Sequence, residues 1–117
     1  MIHNGGALFA MSFYGAEKVI EHYNLMGPVK AALESAVRYL ACEFGPKGIR
    51  VHAISPGPIR TRAASGIDHF DDLIESAAKR APARSLVNIE DVGAATAVLA
   101  TDYAKLITGE TAYVDAG

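Results

Sequence analysis

An α/β fold built on parallel strands is what this sequence predicts, and three observations predict it. Ile49 to Ser55 is a near-continuous apolar run around Val51, Ala53 and Ile54, the signature of a strand covered on both faces of its sheet. Upstream, Val29, Leu33, Ala36, Val37, Leu40 and Phe44 recur at helical spacing, and Gly45-Pro46 closes that stretch. Finally, the elements run strand, helix, strand, helix, helix, strand, an order that implies right-handed crossovers between parallel strands.

Taken in order, Ala7 to Met11 is a short apolar run after Gly5-Gly6 and reads as a buried strand. Ser12 to His22 is mixed in character and reads as loop or a short helical turn. Asn24 is placed to cap the long helix, and Pro28 is tolerated only near a helix start, so the helix begins between Leu25 and Pro28. Its apolar stripe is predicted to be buried. Gly45 is predicted to take the left-handed cap while Pro46 blocks continuation. Pro56-Gly57-Pro58 breaks the second strand. Phe70, Leu73, Ile74 and Ala77 mark a second amphipathic helix, ended near Ala81-Pro82. Asn88-Ile89-Glu90-Asp91 opens a third, with Val92, Ala95 and Leu99 as its apolar face. Glu110 to Asp115 closes the chain as a third strand.

Composition bounds the partners. At 117 residues the chain fits one small domain, 1–117, that buries roughly two-thirds of its unfolded surface. Half the residues are hydrophobic, so a packed core is expected. A net charge of −2 gives no electrostatic reason to expect nucleic acid or an anionic membrane as partner. No apolar stretch approaches the ~20 residues of a membrane-spanning helix, and Met1 to Gly6 lacks the pattern of a signal peptide. Cys42 is the only cysteine, read as a small core residue in a reducing, cytoplasmic setting. His3, His22, His52 and His69 show no ligand spacing with Cys42 or one another, so no metal is expected. Asp68, Asp71, Asp72 and Glu75 read as a solvated helix face, and Lys79, Arg80 and Arg84 as surface charge.

The chemistry concentrates at Tyr23 and Lys30, about two helical turns apart and followed by a strand and a Pro/Gly turn. A phenol there can stabilise a developing oxyanion, while an ammonium holds a nucleotide ribose and lowers the phenol's pKa. Tyr14 competes for the role, because Tyr14-Gly15-Ala16-Glu17-Lys18 matches the Tyr-x-x-x-Lys pattern of the short-chain dehydrogenases/reductases. Register in that superfamily separates the two. Its lysine lies about one five-turn helix before the Gly-Ile-Arg-Val strand; Lys30 precedes Ile49 by 19 residues, whereas Lys18 precedes it by 31. Four residues before Lys30 stands Met26, which can do no acid–base work, and the nearest upstream phenol is Tyr23.

A Tyr-x6-Lys pair in this register resembles the enoyl-(acyl-carrier-protein) reductases, a divergent branch of that superfamily. So do Tyr14-Gly15-Ala16-Glu17, Tyr23-Asn24-Leu25-Met26-Gly27, Gly57-Pro58-Ile59-Arg60-Thr61, Ala63-Ala64-Ser65-Gly66-Ile67, Ile89-Glu90-Asp91-Val92-Gly93 and Thr108-Gly109-Glu110. The likeness runs from about Gly5 to Gly117. It implies the C-terminal half of a Rossmann-like, doubly wound parallel sheet with three strands and about three helices. It also implies reduction of the trans-2 double bond of an enoyl-acyl-carrier-protein thioester in fatty acid biosynthesis, with NADH as cofactor or NADPH as the alternative.

By the same resemblance, Tyr23 hydrogen-bonds the thioester oxygen where the enolate charge appears, and Lys30 binds the nicotinamide ribose. Gly57, Pro58 and Ile59 meet the nicotinamide carboxamide, and Thr61 reaches the pyrophosphate. Phe13, Tyr14, Met26, Ala63, Ala64, Ile67, Phe70 and Leu73 line an acyl channel, with Ala63 to Leu73 as its flap. Relatives assemble as tetramers, and the last helix and strand are the implied contact surface. There are departures. Phe13 stands where many relatives have another tyrosine, with Tyr14 displaced by one, and Pro56 and Arg62 replace the common alanine and leucine. The family's glycine-rich phosphate turn has no counterpart before Gly5, so the chain reads as the C-terminal portion of a reductase about twice its length, and weak NADH binding is expected of it alone. The alternatives are a 3-oxoacyl or other carbonyl reductase of the superfamily, and a catalytically inactive fragment.

Overall fold

Parallel strands need crossovers long enough to carry the chain back over a sheet face, and the helices of this sequence supply them. The computed structural model describes residues 5–59, 66–67 and 69–117. Strands β1 (Gly6–Met11), β2 (Ile49–Pro56) and β3 (Thr111–Val114) form one sheet in the order β1, β2, β3, with β2 parallel to both neighbours. Helix α1 (Met26–Phe44) joins β1 to β2, and α2 (Phe70–Arg80) and α3 (Ile89–Ala100) lie between β2 and β3. This is the predicted α/β class. Met11 pairs with Ile54 and Val114 with Pro56, so the C-terminal ends of all three strands share one edge of the sheet.

The core sits where the apolar run of β2 predicts it. Val51 and Ala53 pack against Val37 and Ala41 of α1, with Leu8, Ala10 and Phe44 around them. Strand alternation turns Arg50 and His52 to the opposite face. There the Arg50 guanidinium donates to the carbonyls of Leu99, Ala100 and Ala104, which satisfies the exposed acceptors at the end of α3. Helix α1 thus packs on one face, and the end of α3 is bonded from the other.

Several local expectations are corrected. The buried positions of α1 are Gly27, Glu34, Val37 and Ala41, whereas Val29, Ala36 and Leu40 are exposed and Leu33 and Phe44 half-buried. An alanine-rich helix offers apolar residues on more than one face, and periodicity alone does not choose among them. Cys42 lies outside that seam and is exposed, not a core residue. Asn24 does not cap α1. It adopts a left-handed conformation at φ 57°, and Leu25 takes the cap position without a side-chain bond. The carbonyls of Tyr23 and Asn24 instead accept from the N–H groups of Met26 and Gly27. Nor does Gly45 take the left-handed cap. The helix runs on into a 3₁₀ turn, Gly45–Lys47, whose first turn accommodates Pro46, and Gly48 at φ 74° makes the left-handed exit. Finally, β1 is half-buried and not fully buried, because among the described residues it pairs on one side only.

The third helix starts as predicted. Asn88 Oδ1 accepts from the Asp91 N–H at 2.9 Å, and Asp91 Oδ2 accepts from the Asn88 N–H at 3.0 Å, a complete capping box. Replacing Asn88 by alanine removes one half of it. The expected cost is about 1 kcal/mol, seen in urea unfolding as a lower midpoint with an unchanged slope.

Candidate active site

Tyr23 and Lys30 both converge on the segment that leaves β1. The Lys30 amine donates to the Met11 carbonyl at 2.9 Å. The Tyr23 ring is buried and tilts against Phe13, with ring centroids 5.2 Å apart. Gly15 forms the floor of its seat: a Cβ there would lie 2.4 Å from Tyr23 Cδ2 and 2.6 Å from Cε2. Burial raises the Tyr23 pKa above the ordinary phenol value. That corrects the expectation that Lys30 lowers it, since loss of hydration is the effect that prevails. A phenol held protonated is a hydrogen-bond donor at neutral pH.

The turn after β2 stands beside this segment at the same sheet edge. Gly57 is buried and its N–H donates to the Val114 carbonyl at 2.9 Å, which fixes the direction of Pro58 and Ile59, both half-buried. A cavity of about 220 Å³ opens between this turn and α2, lined by Phe13, Tyr14, Gly57, Pro58 and Leu73, with Arg80 and Asp115 as its charged members. Tyr23 lines a separate, open groove of about 570 Å³ beside residues 15–24, Gly27 and Ala31. The two tyrosines therefore face different concavities. Of the other predicted lining residues, Met26 is 43% exposed at the start of α1 and Phe70 is buried in the core; neither borders the Leu73 cavity. Ile67 is half-buried. Thr61, Ala63 and Ala64 lie outside the described residues, as does Arg62.

Two side-chain bonds at this edge escape sequence reasoning. The Tyr113 hydroxyl on β3 donates to Glu17 Oε2 at 2.6 Å, tying β3 to the loop that carries Tyr14 and Gly15. The Ser12 hydroxyl donates to Glu34 Oε2, and both residues are buried. No sequence pattern links residues 96 or 22 positions apart. The hydrogen bond to Glu17, then burial, then the negative charges of Glu17, Glu34 and Asp115 push the Tyr113 pKa well above its ordinary value.

With the geometry in view, comparison with known proteins defines the class. The family described as enoyl-(acyl carrier protein) reductase matches residues 1–117, and the chain belongs to that family. It is 49% identical over all 117 residues to the NADH-dependent enoyl-(acyl-carrier-protein) reductase FabI of Rickettsia prowazekii, covering 45% of that protein. It is likewise 49% identical to the FabI enzyme of Escherichia coli K12, with the same coverage. Among solved structures, the Bacillus cereus enoyl-acyl carrier protein reductase, crystallised with NADP+ and an indole naphthyridinone, superposes with a TM-score of 0.95 at 43% identity. That match covers 98% of this chain and 45% of the other. The Aquifex aeolicus NADH enzyme gives a TM-score of 0.90 at 50% identity, covering 97% of this chain and 44% of that one. The chain thus spans about half the length of the curated relatives it matches.

Two outcomes follow for the site. In Gly15→Ala the new methyl must displace the Tyr23 ring, so nitration of Tyr23, read by peptide mass spectrometry, is expected to rise several-fold; an unchanged rate would mean that the ring is not seated there. The second concerns Tyr113. The folded state holds its proton more tightly than the unfolded state does, so this contribution to stability is complete below the ordinary tyrosine pKa of about 10 and is lost as the pH climbs above it. Tyr113→Phe is expected to flatten the alkaline fall in unfolding free energy.

Proposed function

We propose that this chain provides the catalytic and substrate-binding part of an enoyl-thioester reductase that uses NADH. The observation that carries the reading is the convergence of Tyr23 and Lys30 on Met11 to Gly15, beside the Gly57-Pro58-Ile59 turn at the same sheet edge. Ligands of open parallel sheets bind outside the carboxyl ends of the strands, and this edge is such an end. Family membership and the names of the relatives support the same reaction and cofactor.

The residues present fit a dinucleotide. One N–H of the Lys30 ammonium is committed to Met11, which leaves two for the hydroxyls of the nicotinamide ribose. Pro58 and Ile59, which follow β2, offer backbone groups to the carboxamide, and Thr61 is the residue proposed for the pyrophosphate. The bound cofactor supplies hydride to the substrate's β-carbon. Tyr23, protonated because it is buried, donates a hydrogen bond to the thioester oxygen as enolate charge builds there. Phe13, Tyr14 and Leu73 give the acyl chain an apolar wall, and Ala63, Ala64 and Ile67 are proposed as further lining residues by the family resemblance. A homo-oligomer goes with this reading, supported by exposed Val98, Tyr103 and Leu106 beside the last helix. The exposed free thiol of Cys42 supports a reducing, cytoplasmic setting.

The test is made in the complete enzyme that carries these residues, followed by NADH absorbance with an enoyl thioester. Tyr23→Phe is expected to lower kcat by ~10²–10³-fold, and Tyr14→Phe by far less. Equal losses would overturn the choice of phenol. Turnover of 3-oxoacyl but not enoyl thioesters would move the chain to the carbonyl reductases, a reading that lacks a tyrosine four residues before Lys30.

A further inference from the structure

We propose that Glu34 is a positioning residue for the Lys30 amine and acts through Ser12. The role of that amine rests on the reductase reading; the mechanical coupling does not. Met11 and Ser12 are consecutive residues where β1 ends. The Met11 carbonyl accepts from Lys30 Nζ at 2.9 Å, and the Ser12 hydroxyl donates to Glu34 Oε2. Lys30 and Glu34 stand four apart on α1, one turn and one face. Two adjacent residues of the strand are thus gripped by two adjacent turns of the helix.

Ser12 is held from its other side as well, because its N–H donates to the Ile54 carbonyl at 2.7 Å. The hydroxyl therefore has little freedom to follow a displaced helix. The Ser12–Glu34 grip is shielded from water, with Ser12 5% and Glu34 7% exposed, whereas the Lys30–Met11 bond lies at the surface. A carboxylate in an otherwise apolar helix-to-sheet seam is costly to bury, and a leucine would fill the space at lower cost. What the carboxylate secures is register: it fixes how far α1 can slide or roll on β1. Without it, the flexible four-carbon stem of Lys30 loses its fixed acceptor and the amine samples solvent. The neighbouring hydroxyl of Ser55 supplies an internal control. Ser55 follows Ile54, the register partner of Met11, is buried, and its hydroxyl has no hydrogen-bond partner among the described residues.

The experiment reads the amine directly. Competitive acetylation of the lysines in the 117-residue chain, resolved by peptide mass spectrometry, gives the rate at Lys30 relative to exposed Lys105. Global destabilisation raises both rates, so the ratio isolates Lys30. Glu34→Ala and Ser12→Ala are expected to raise it about tenfold, the scale of one hydrogen bond to a charged group, while Ser12→Thr and Ser55→Ala leave it at the wild-type value. An unchanged ratio in folded Glu34→Ala overturns the proposal. Should the alanine variants fail to fold, Glu34→Gln decides: it keeps the size and an acceptor oxygen but loses the charge, so a smaller rise supports the coupling and a wild-type ratio overturns it. In the complete enzyme the same variants are expected to raise KM for NADH more than they lower kcat. A freed Lys30 with both constants unchanged would leave the coupling standing and count against the reductase reading.

Discussion

The parallel register of β2 against both neighbours is the constraint from which the site hangs. It sets Met11 level with Ile54, and Ser55 and Pro56 level with Tyr113 and Val114. Three loops thereby leave the sheet side by side, carrying Tyr14, Tyr23, Gly57 and Asp115 to one edge. A slip of one residue would reverse every side chain of β2. Val51 and Ala53 would leave α1, His52 would enter the apolar seam in their place, and Arg50 would lose the carbonyls at the end of α3. The register is defended by packing on both faces at once.

Each face also carries a buried polar link, from strand to helix on one side and across the strands on the other. On the α1 side, Ser12 reaches Glu34. On the other side, the fully buried His52 stacks on Phe9 of β1 with centroids 5.0 Å apart, and its Nδ1 meets Glu110 Oε1 at 2.6 Å just before β3. One imidazole thus touches groups from all three strand regions. Its Nε2 and the second oxygen of Glu110 find no partner among the described residues, a loss of ~1–3 kcal/mol for each such buried group. The sheet forgoes that stability, while the His52 rung ties β1 to the start of β3.

Much of this architecture was legible in the chain. The near-continuous apolar run of Ile49 to Ser55 announces a strand covered twice, and Asn88 with Asp91 announces a helix start, because each signal depends on neighbours in sequence. The face of α1 was not legible. Val29, Ala36 and Leu40 satisfy helical spacing as well as Gly27, Val37 and Ala41 do, and only the arriving sheet distinguishes them. Within the site, Tyr23 and Lys30 were readable as a pair from the position of Lys30 before the Ile49 strand, although Tyr23 lies outside α1, which begins at Met26. Gly15 under the Tyr23 ring, Glu17 on Tyr113 and Glu34 on Ser12 were not, since each is a contact between segments that only the folded chain brings together.

The spacing of the pair also explains which force sets the phenol's proton. Four residues of helix would stack two side chains on successive turns, close enough for an ammonium to stabilise a phenolate directly. Here Tyr23 lies ahead of α1, which begins at Met26, and the left-handed Asn24 turns the chain between the two, so they do not stack on one helix. The amine is engaged by the Met11 carbonyl, and burial is the cause that acts on the Tyr23 phenol. Burial against Phe13 and Gly15 then dominates and keeps the hydroxyl protonated. Under the reductase reading this is the useful state. The nucleophile is hydride, so Tyr23 has no proton to abstract, and what the growing oxyanion requires is a fixed donor in a dry site. The pair divides its labour accordingly: the amine orients one end of the bound ligands, and the phenol answers charge at the other.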